Sequence, residues 1–358
     1  MTRLRYGIEH ELAFRHPDGS FADFTNTPFD LLQGIVDALP EDPADYPDLR
    51  IGDQGIKRKR WYVEGFERFD EAGALLRCDP KGIEVRTRIH DTVEEAVAAL
   101  TADVAALEEL ARTRGLQPWV TGFNPVRSSY PITPPYNAWE RAHRIGSPEE
   151  RTAHLHMVTH GPDLNLSVAG LDGPDLVDAG AKLTHYSPWI VPFSFSSPFR
   201  DGVAWGGLSA RTAVRTGARP AAMVFLAPGS PHLRATDPSL TQPARLAAEV
   251  GRIEFKACDA CPDPALYGEL LSLLTGLVLD DTLPGRALVP DAAAHRHVAV
   301  SGLADPDTHA RAGELLAAAE RALAGRPADL ARLSGLRGRW ERRDCPAVAM
   351  LERSRVLH

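Results

Sequence analysis

Between Thr92 and Arg114 the apolar residues Val93, Ala96, Val97, Leu100, Val104, Leu107 and Ala111 recur at three- and four-residue steps, the spacing of one helical face. Asp91 or Thr92 can cap this helix, Glu95 completes a capping box with Thr92, and Gly115 ends it. The same periodicity predicts helices over 174–186, 242–251, 264–279 and 307–324, with broken helix from 326 to 358. The segment 122–146, with Pro125, Pro131, Pro134 and Pro135, reads as a loop, because proline removes donors and restricts its neighbour. Such a loop is either a cover over a site or a plain surface excursion.

Other stretches alternate with period two, as strands do when one face meets a core. In Arg3–Ala13, Leu4, Tyr6, Ile8, His10 and Leu12 point one way, while Arg5, Gly7, Glu9 and Glu11 point the other. Gly82–Ile89 sets Ile83, Val85 and Ile89 against Glu84, Arg86 and Arg88, with Asp79 just upstream. Asp163–Val168 sets Leu164, Leu166 and Val168 against Asp163, Asn165 and Ser167. Arg252–Ala257 sets Ile253, Phe255 and Ala257 against Arg252, Glu254 and Lys256, with Asp259 following. A fifth segment, Trp61–Phe69, followed by a turn at 70–73 and by Ala74–Arg77, reads as a hairpin, with Glu64 and Glu67 given structural roles.

Each charged face alone reads as a solvated sheet surface. Together they repeat one feature, a mid-strand Glu beside an Arg. Glu9 and Glu11 stand about 7 Å apart on one strand face and repel unless a cation sits near. Carboxylates suit Mg²⁺, and guanidinium groups hold phosphate oxygens bidentately, so the set describes a metal–phosphate floor.

The bulk numbers narrow the partners. The 358 residues carry a formal charge of −8, which opposes nucleic acid and anionic membrane, and 44% are hydrophobic, enough for a sizeable core. The reading is one catalytic unit over 1–358, its 264–358 portion mainly helical. Met1–Gly7 shows no apolar signal-peptide core and no eighteen-residue apolar run occurs, which gives a cytoplasmic expectation. Four cysteines, Cys78, Cys258, Cys261 and Cys345, are too scattered for a disulfide framework. The single C-x-x-C at 258–261 reads as two buried thiols at a strand end, and His154, His156 and His160 as surface histidines rather than metal ligands.

At these motifs the chain resembles the glutamate–cysteine ligase family and its carboxylate–amine ligase relatives. Gly7-Ile8-Glu9-His10-Glu11 is similar to the family's first-strand G-x-E-x-E, and Gly82-Ile83-Glu84-Val85 to its second acidic strand. Phe195–Gly202 followed by Gly206–Arg211 resembles the stretch ending in S-P-F with its Gly, Ser and Arg cluster. Arg252-Ile253-Glu254-Phe255-Lys256 resembles the late R-x-E-x-R strand. Two positions depart from the pattern: Asp163–Leu166 stands where relatives have H-x-H, and Lys256 where they have Arg, a point charge in place of a planar fork.

The resemblance implies an α+β fold of the glutamine synthetase and guanidino kinase kind: a curved, mainly antiparallel β-sheet with helices on its outer face and the site on its charged inner face. It implies ATP and Mg²⁺, the metal held by Glu9, Glu11, Glu84 and Glu254. Arg86, Arg211, Arg252 and Lys256 would act on the phosphates, and Asn165, Ser197, Ser209, Arg211 and Lys256 would bind the nucleotide. The reaction the resemblance implies phosphorylates a carboxylate, the γ-carboxylate of glutamate or of a similar amino acid, and an amine then attacks the acyl phosphate to form an amide. The partners are a small amino-acid donor and an amine acceptor, with a homodimer left open. No G-x-S-x-G or P-loop motif occurs, in agreement. A guanidino kinase-like phosphotransferase, a non-catalytic scaffold and a metal hydrolase using the histidines remain as alternatives.

Overall fold

The structure is a computed structural model that describes residues 3–45, 59–215 and 217–356. Met1 and Thr2 of the stretch read for a signal peptide, and 357–358 of the terminal helical stretch, lie outside those residues.

Eleven strands are present among the described residues: β1 Leu4–Arg15, β2 Phe21–Ala22, β3 Trp61–Phe69, β4 Leu75–Arg86, β5 Gln117–Trp119, β6 Pro162–Val168, β7 Phe199–Arg200, β8 Val203–Ala204, β9 Ala222–Leu226, β10 Thr241–Pro243 and β11 Arg252–Phe255. Nine form one curved sheet in the order β10-β9-β11-β6-β1-β4-β3, with β2 and β5 paired to the far end of β1. All pairings are antiparallel except β10 with β9.

The alternation of β1 is realised residue for residue. Leu4, Tyr6, Ile8, His10 and Leu12 are at most 3% exposed, while Glu9 and Glu11 are half-buried on the opposite face. His10 tolerates the core because Tyr267 Oη bonds its Nδ1 at 2.8 Å, and burial lowers its pKa to about 4.

The apolar face is covered by helices. Helix Val93–Thr113 begins with the expected capping box at Thr92 and Glu95, and it buries Val93, Ala96, Leu100, Leu107 and Ala111. Helices Gly173–Ile190 and Ala265–Leu279 add their own apolar faces, and Pro306–Ala322 and Pro327–Arg342 stack on Ala265–Leu279. Sheet residues such as Ile8, Ile83 and Phe255 share one apolar cluster with Leu270, Leu274, Leu316 and Leu336 of those helices.

Several expectations are corrected. The predicted helix at 242–251 is instead β10 and a single 3₁₀ turn, Ala247–Glu249. Ala, Leu and Arg favour helix there, but Gln242 pairs with Phe225 of β9, and the Glu249 carboxylate accepts from the Arg245 amide at 2.7 Å, fixing a turn. The hairpin and the second acidic strand are one continuous β4, kinked by a bulge where Glu64 opposes Gly82 and Gly65 opposes Pro80. β4 stops at Arg86, so Ile89 is 37% exposed rather than in the core.

The 122–146 loop contains a short helix, Ala138–Arg144, and is bolted down by Glu140, fully buried, which accepts from Arg68 Nε and Nη2 at 2.6 and 2.9 Å. Of that loop only Arg144 lines the cavity described next, so it is a wall anchor and not a broad cover.

Candidate functional site

Antiparallel register turns the period-two pattern into rows across the polar face. Glu9 faces Arg86 of β4 on one side and Asp163 of β6 on the other. Glu11 faces Glu84, which in turn faces Tyr62, and Asn165 lies between Gly7 and Glu254. These rows floor a cavity of about 700 Å³ lined by Glu9, Glu11, Glu84, Arg86, Asp163 and Asn165 together with Arg211, Arg252, Glu254 and Lys256.

The carboxylates divide into two groups, each with ligand atoms mutually within 4.8 Å: Glu9, Glu84 and Asp163, and Glu11, Glu64 and His156. Burial, then repulsion from Asp163 and Glu254, raises the pKa of Glu9, as expected where negative charges crowd without a counter-ion. Asn165 donates to Glu9 Oε1 at 3.3 Å and leaves its own Oδ1 buried without a hydrogen-bond partner.

In the second group burial, followed by the charge of Lys81, holds His156 well below the ordinary imidazole pKa, so the ring is neutral. Its Nε2 donates to the Gly65 carbonyl at 3.2 Å, which leaves a bare Nδ1 lone pair 3.4 Å from Glu64 Oε1. Two acceptors face to face would be reconciled by a cation between them. Glu11, the third member of this group, is tied to Lys81 Nζ at 2.7 Å and to the Gly161 amide at 2.8 Å. Both donor sets, oxygen-rich and partly orphaned, fit a hard divalent cation.

The basic residues are placed unevenly. Arg86 donates to the Lys59 carbonyl at 3.0 Å with its guanidinium over the Tyr62 ring. Arg252 bridges Glu254 at 3.0 Å and reaches toward Glu9 at 4.0 Å. Lys256 is ion-paired with both Asp163 and Glu254. Burial alone would lower the Lys256 ammonium, yet those carboxylates and Glu9 raise its pKa instead. Glu254, expected as a metal ligand, is therefore held between two cations and stands outside both carboxylate groups.

Arg211 sits at the cavity wall with its fork on the carbonyls of Ala257 and Lys256, at 2.8 and 2.9 Å. A Cβ at Gly161 would collide with that guanidinium, so glycine is required for the close approach.

Ser197 and Ser209, expected to bind nucleotide, do not line the cavity. Both are fully buried and donate to Asp259, Ser197 Oγ at 2.6 Å and Ser209 Oγ at 2.9 Å, beneath the Arg211 helix. Asp259, itself 0% exposed, needs these donors, and that need outranks a ligand role. Two of the three histidines are not surface groups either: His160 is 1% exposed and His156 belongs to the second carboxylate group, while His154 is half-buried and lies outside both groups. Cys258 and Cys261 are free buried thiols just past β11, as the spacing suggested.

Asp163, Glu64 and His156 stand in these groups although the sequence reading did not choose them as ligands. Asp163 was signalled by its place on a charged face. Glu64 was given a structural role, and His156 was a ligand only in the hydrolase alternative, because the bulge of β4 and the 153–156 turn that bring them in are not local signals.

Residues 5–344 match the family described as glutamate-cysteine ligase family 2. Over 135 residues the chain is 33% identical to proteins assigned as glutamate–cysteine ligase 2-1 in Corynebacterium efficiens and glutamate–cysteine ligase 2 in Corynebacterium glutamicum strain R, in each case 36% of this chain and 33% of the relative. The match thus spans about a third of these curated relatives. Among solved structures, a glutamate–cysteine ligase from Francisella tularensis in complex with AMP superposes with a TM-score of 0.57 at 12% identity, covering 99% of this chain and 85% of that one. A bifunctional glutathione synthetase from Pasteurella multocida gives 0.53 at 13% identity, covering 95% and 48%. The α+β fold with a curved sheet and packed helices is the one these proteins share. By the extent of the family match and by this architecture, the chain belongs to glutamate-cysteine ligase family 2.

Proposed function

We propose that this chain is an ATP- and Mg²⁺-dependent carboxylate–amine ligase that forms an amide through an acyl phosphate, with the γ-carboxylate of glutamate or a similar amino acid as donor and a small amine as acceptor. The observation that carries the reading is the joining of two carboxylate groups and several fixed guanidinium groups in one cavity. Glu9, Glu84 and Asp163, with Asn165 beside them, would hold one cation, and Glu11, Glu64 and His156 a second. When bound, Mg²⁺ offsets the charge of the ATP phosphates during transfer.

The protein's own groups divide the remaining work. Arg86 and Arg252, fixed by a ring, a carbonyl and carboxylates, present positive charge beside the floor. Arg211, pinned by two carbonyls, offers its remaining N–H groups to an oxyanion without having to reorganise. Asp163, held ionised by Lys256 against the effect of burial, keeps its charge for the cation it would help to hold. No side-chain nucleophile is needed. Among the described residues no helix is long and apolar enough to cross a membrane.

The test is phosphate release from Mg–ATP with glutamate and a panel of amines, comparing the parent with Glu9→Gln. Amine-dependent release that the variant loses is the expected result. ADP formation without free phosphate would instead identify a phosphotransferase, and failure to bind Mg–ATP would end the proposal.

A further inference from the structure

The kink in β4 has an extra residue at its centre. Glu64 of β3 opposes Gly82 and Gly65 opposes Pro80, so Lys81 is the inserted residue of the bulge. The backbones crowd there: a Cβ at Gly65 would collide with the Asp79 carbonyl, and one at Gly82 with the Leu12 carbonyl of β1. Only glycine at both positions lets the bulge sit this close to its neighbours. A bulge re-aims a side chain, and Lys81, 2% exposed, is aimed at Glu11.

Lys81 does not line the cavity, so it acts on the site only through what it holds. Its ammonium has three donors, and all are used: Glu11 Oε1 and the Thr159 carbonyl at 2.7 Å each, and the His156 carbonyl at 2.9 Å. The adjoining Gly65 carbonyl takes the His156 Nε2 proton at 3.2 Å, which aims Nδ1 at Glu64. Glu11, Glu64 and His156 come from three separate segments, β1, β3 and the 153–156 turn, and the bulge ties all three together. A lysine beside a cation group opposes the cation by its charge and assists it by fixing the ligands. Here two carbonyl oxygens and Glu11 already surround the charge, whereas among the described residues no other donor bonds Glu11 Oε1. Geometry is therefore the larger effect.

We propose that Lys81 is the positioning residue of the second carboxylate group, fixing Glu11 and the His156 turn so that Glu11, Glu64 and His156 converge on one divalent cation. This deepens the two-cation reading given above and rests on it. Without Lys81, Glu11 is held by one oxygen only, at the Gly161 amide, and the turn that carries His156 loses two of its carbonyl bonds.

The test is titration of the full chain with Mn²⁺, alone and with a non-hydrolysable ATP analogue, followed by electron spin echo. Only the second group offers an imidazole, so nitrogen modulation marks the ion bound there. The parent is expected to bind two ions, one with modulation, and His156→Gln to abolish the modulation. Lys81→Met is expected to weaken the marked ion about tenfold or more and to leave the other unchanged. Lys81→Arg, which keeps charge and donors, is expected to regain part of that loss. Melts in chelator check folding, and Lys81→Gln, still a donor to the two carbonyls, reads the same loss if the Met variant does not fold. An unchanged marked ion in the Met or Gln variant would overturn the inference while the two-cation reading stands. So would tighter binding, which would make Lys81 a competing charge, or equal weakening of both ions, which would give it a general folding role. A parent that binds Mn²⁺ without nitrogen modulation would remove the second group and the role of Lys81 together, and a parent that binds no Mn²⁺ with or without the nucleotide would remove the two-cation reading as well.

Discussion

Glu140→Gln tests how the 122–146 segment is held. Glu140 is 0% exposed, accepts two bonds from Arg68 and one from the Phe69 amide at 3.1 Å, and closes the cap of its own helix with Asn137. These bonds, Arg68 first, lower its pKa from 4.5 to about 2. At about 1.4 kcal/mol per pH unit of displacement, the ionised form contributes roughly 3 kcal/mol, in line with the cost of stranding a buried Arg. A depressed carboxyl contributes fully above its unfolded value and loses that contribution as pH falls from about 4.5 toward 2. With roughly 2 cal/mol/K of unfolding entropy per residue, a chain of this length would lose about 4 °C in Tm. Thermal melts of parent and variant at pH 7 and at steps down to pH 3 check this. Variant and parent melting within 1 °C at pH 7, or a gap that widens on acidification, would refute the reasoning.

Asp259→Ala strands three buried donors, from Ser196, Ser197 and Ser209, and is expected to cost about 3 kcal/mol or more, read as a lower urea midpoint. Metal-free Glu9→Gln is expected to be about 1 kcal/mol more stable than the parent, because it removes a carboxylate that burial, Asp163 and Glu254 all disfavour; melts in chelator measure this. Burial pushes the Cys258 and Cys345 thiols up to about 12 and raises Cys261 well above the ordinary thiol value. All three are therefore expected to resist an aromatic disulfide reagent at pH 8 until the chain unfolds, followed by absorbance.

The sequence by itself determined which residues face the core and which face the site wherever the period was clean. In β1, β6 and the second half of β4, alternation separated Ile8 from Glu9 and Ile83 from Glu84, because consecutive strand side chains must point to opposite faces. The capping box of Val93–Thr113 was equally local. Only the tertiary structure decided who meets whom across the sheet. Register is a non-local choice, so Glu9 and Glu11, adjacent on one face, enter different carboxylate groups with Asp163 and with His156. The β4 bulge, which delivers Lys81 to Glu11, and the turn that overrides helix propensity at 242–251 likewise depend on partners distant in the chain. Ser197 and Ser209 looked like ligand-binding residues from their motif, but Asp259, 62 and 50 residues away, claims their hydroxyls because a buried carboxylate must be satisfied.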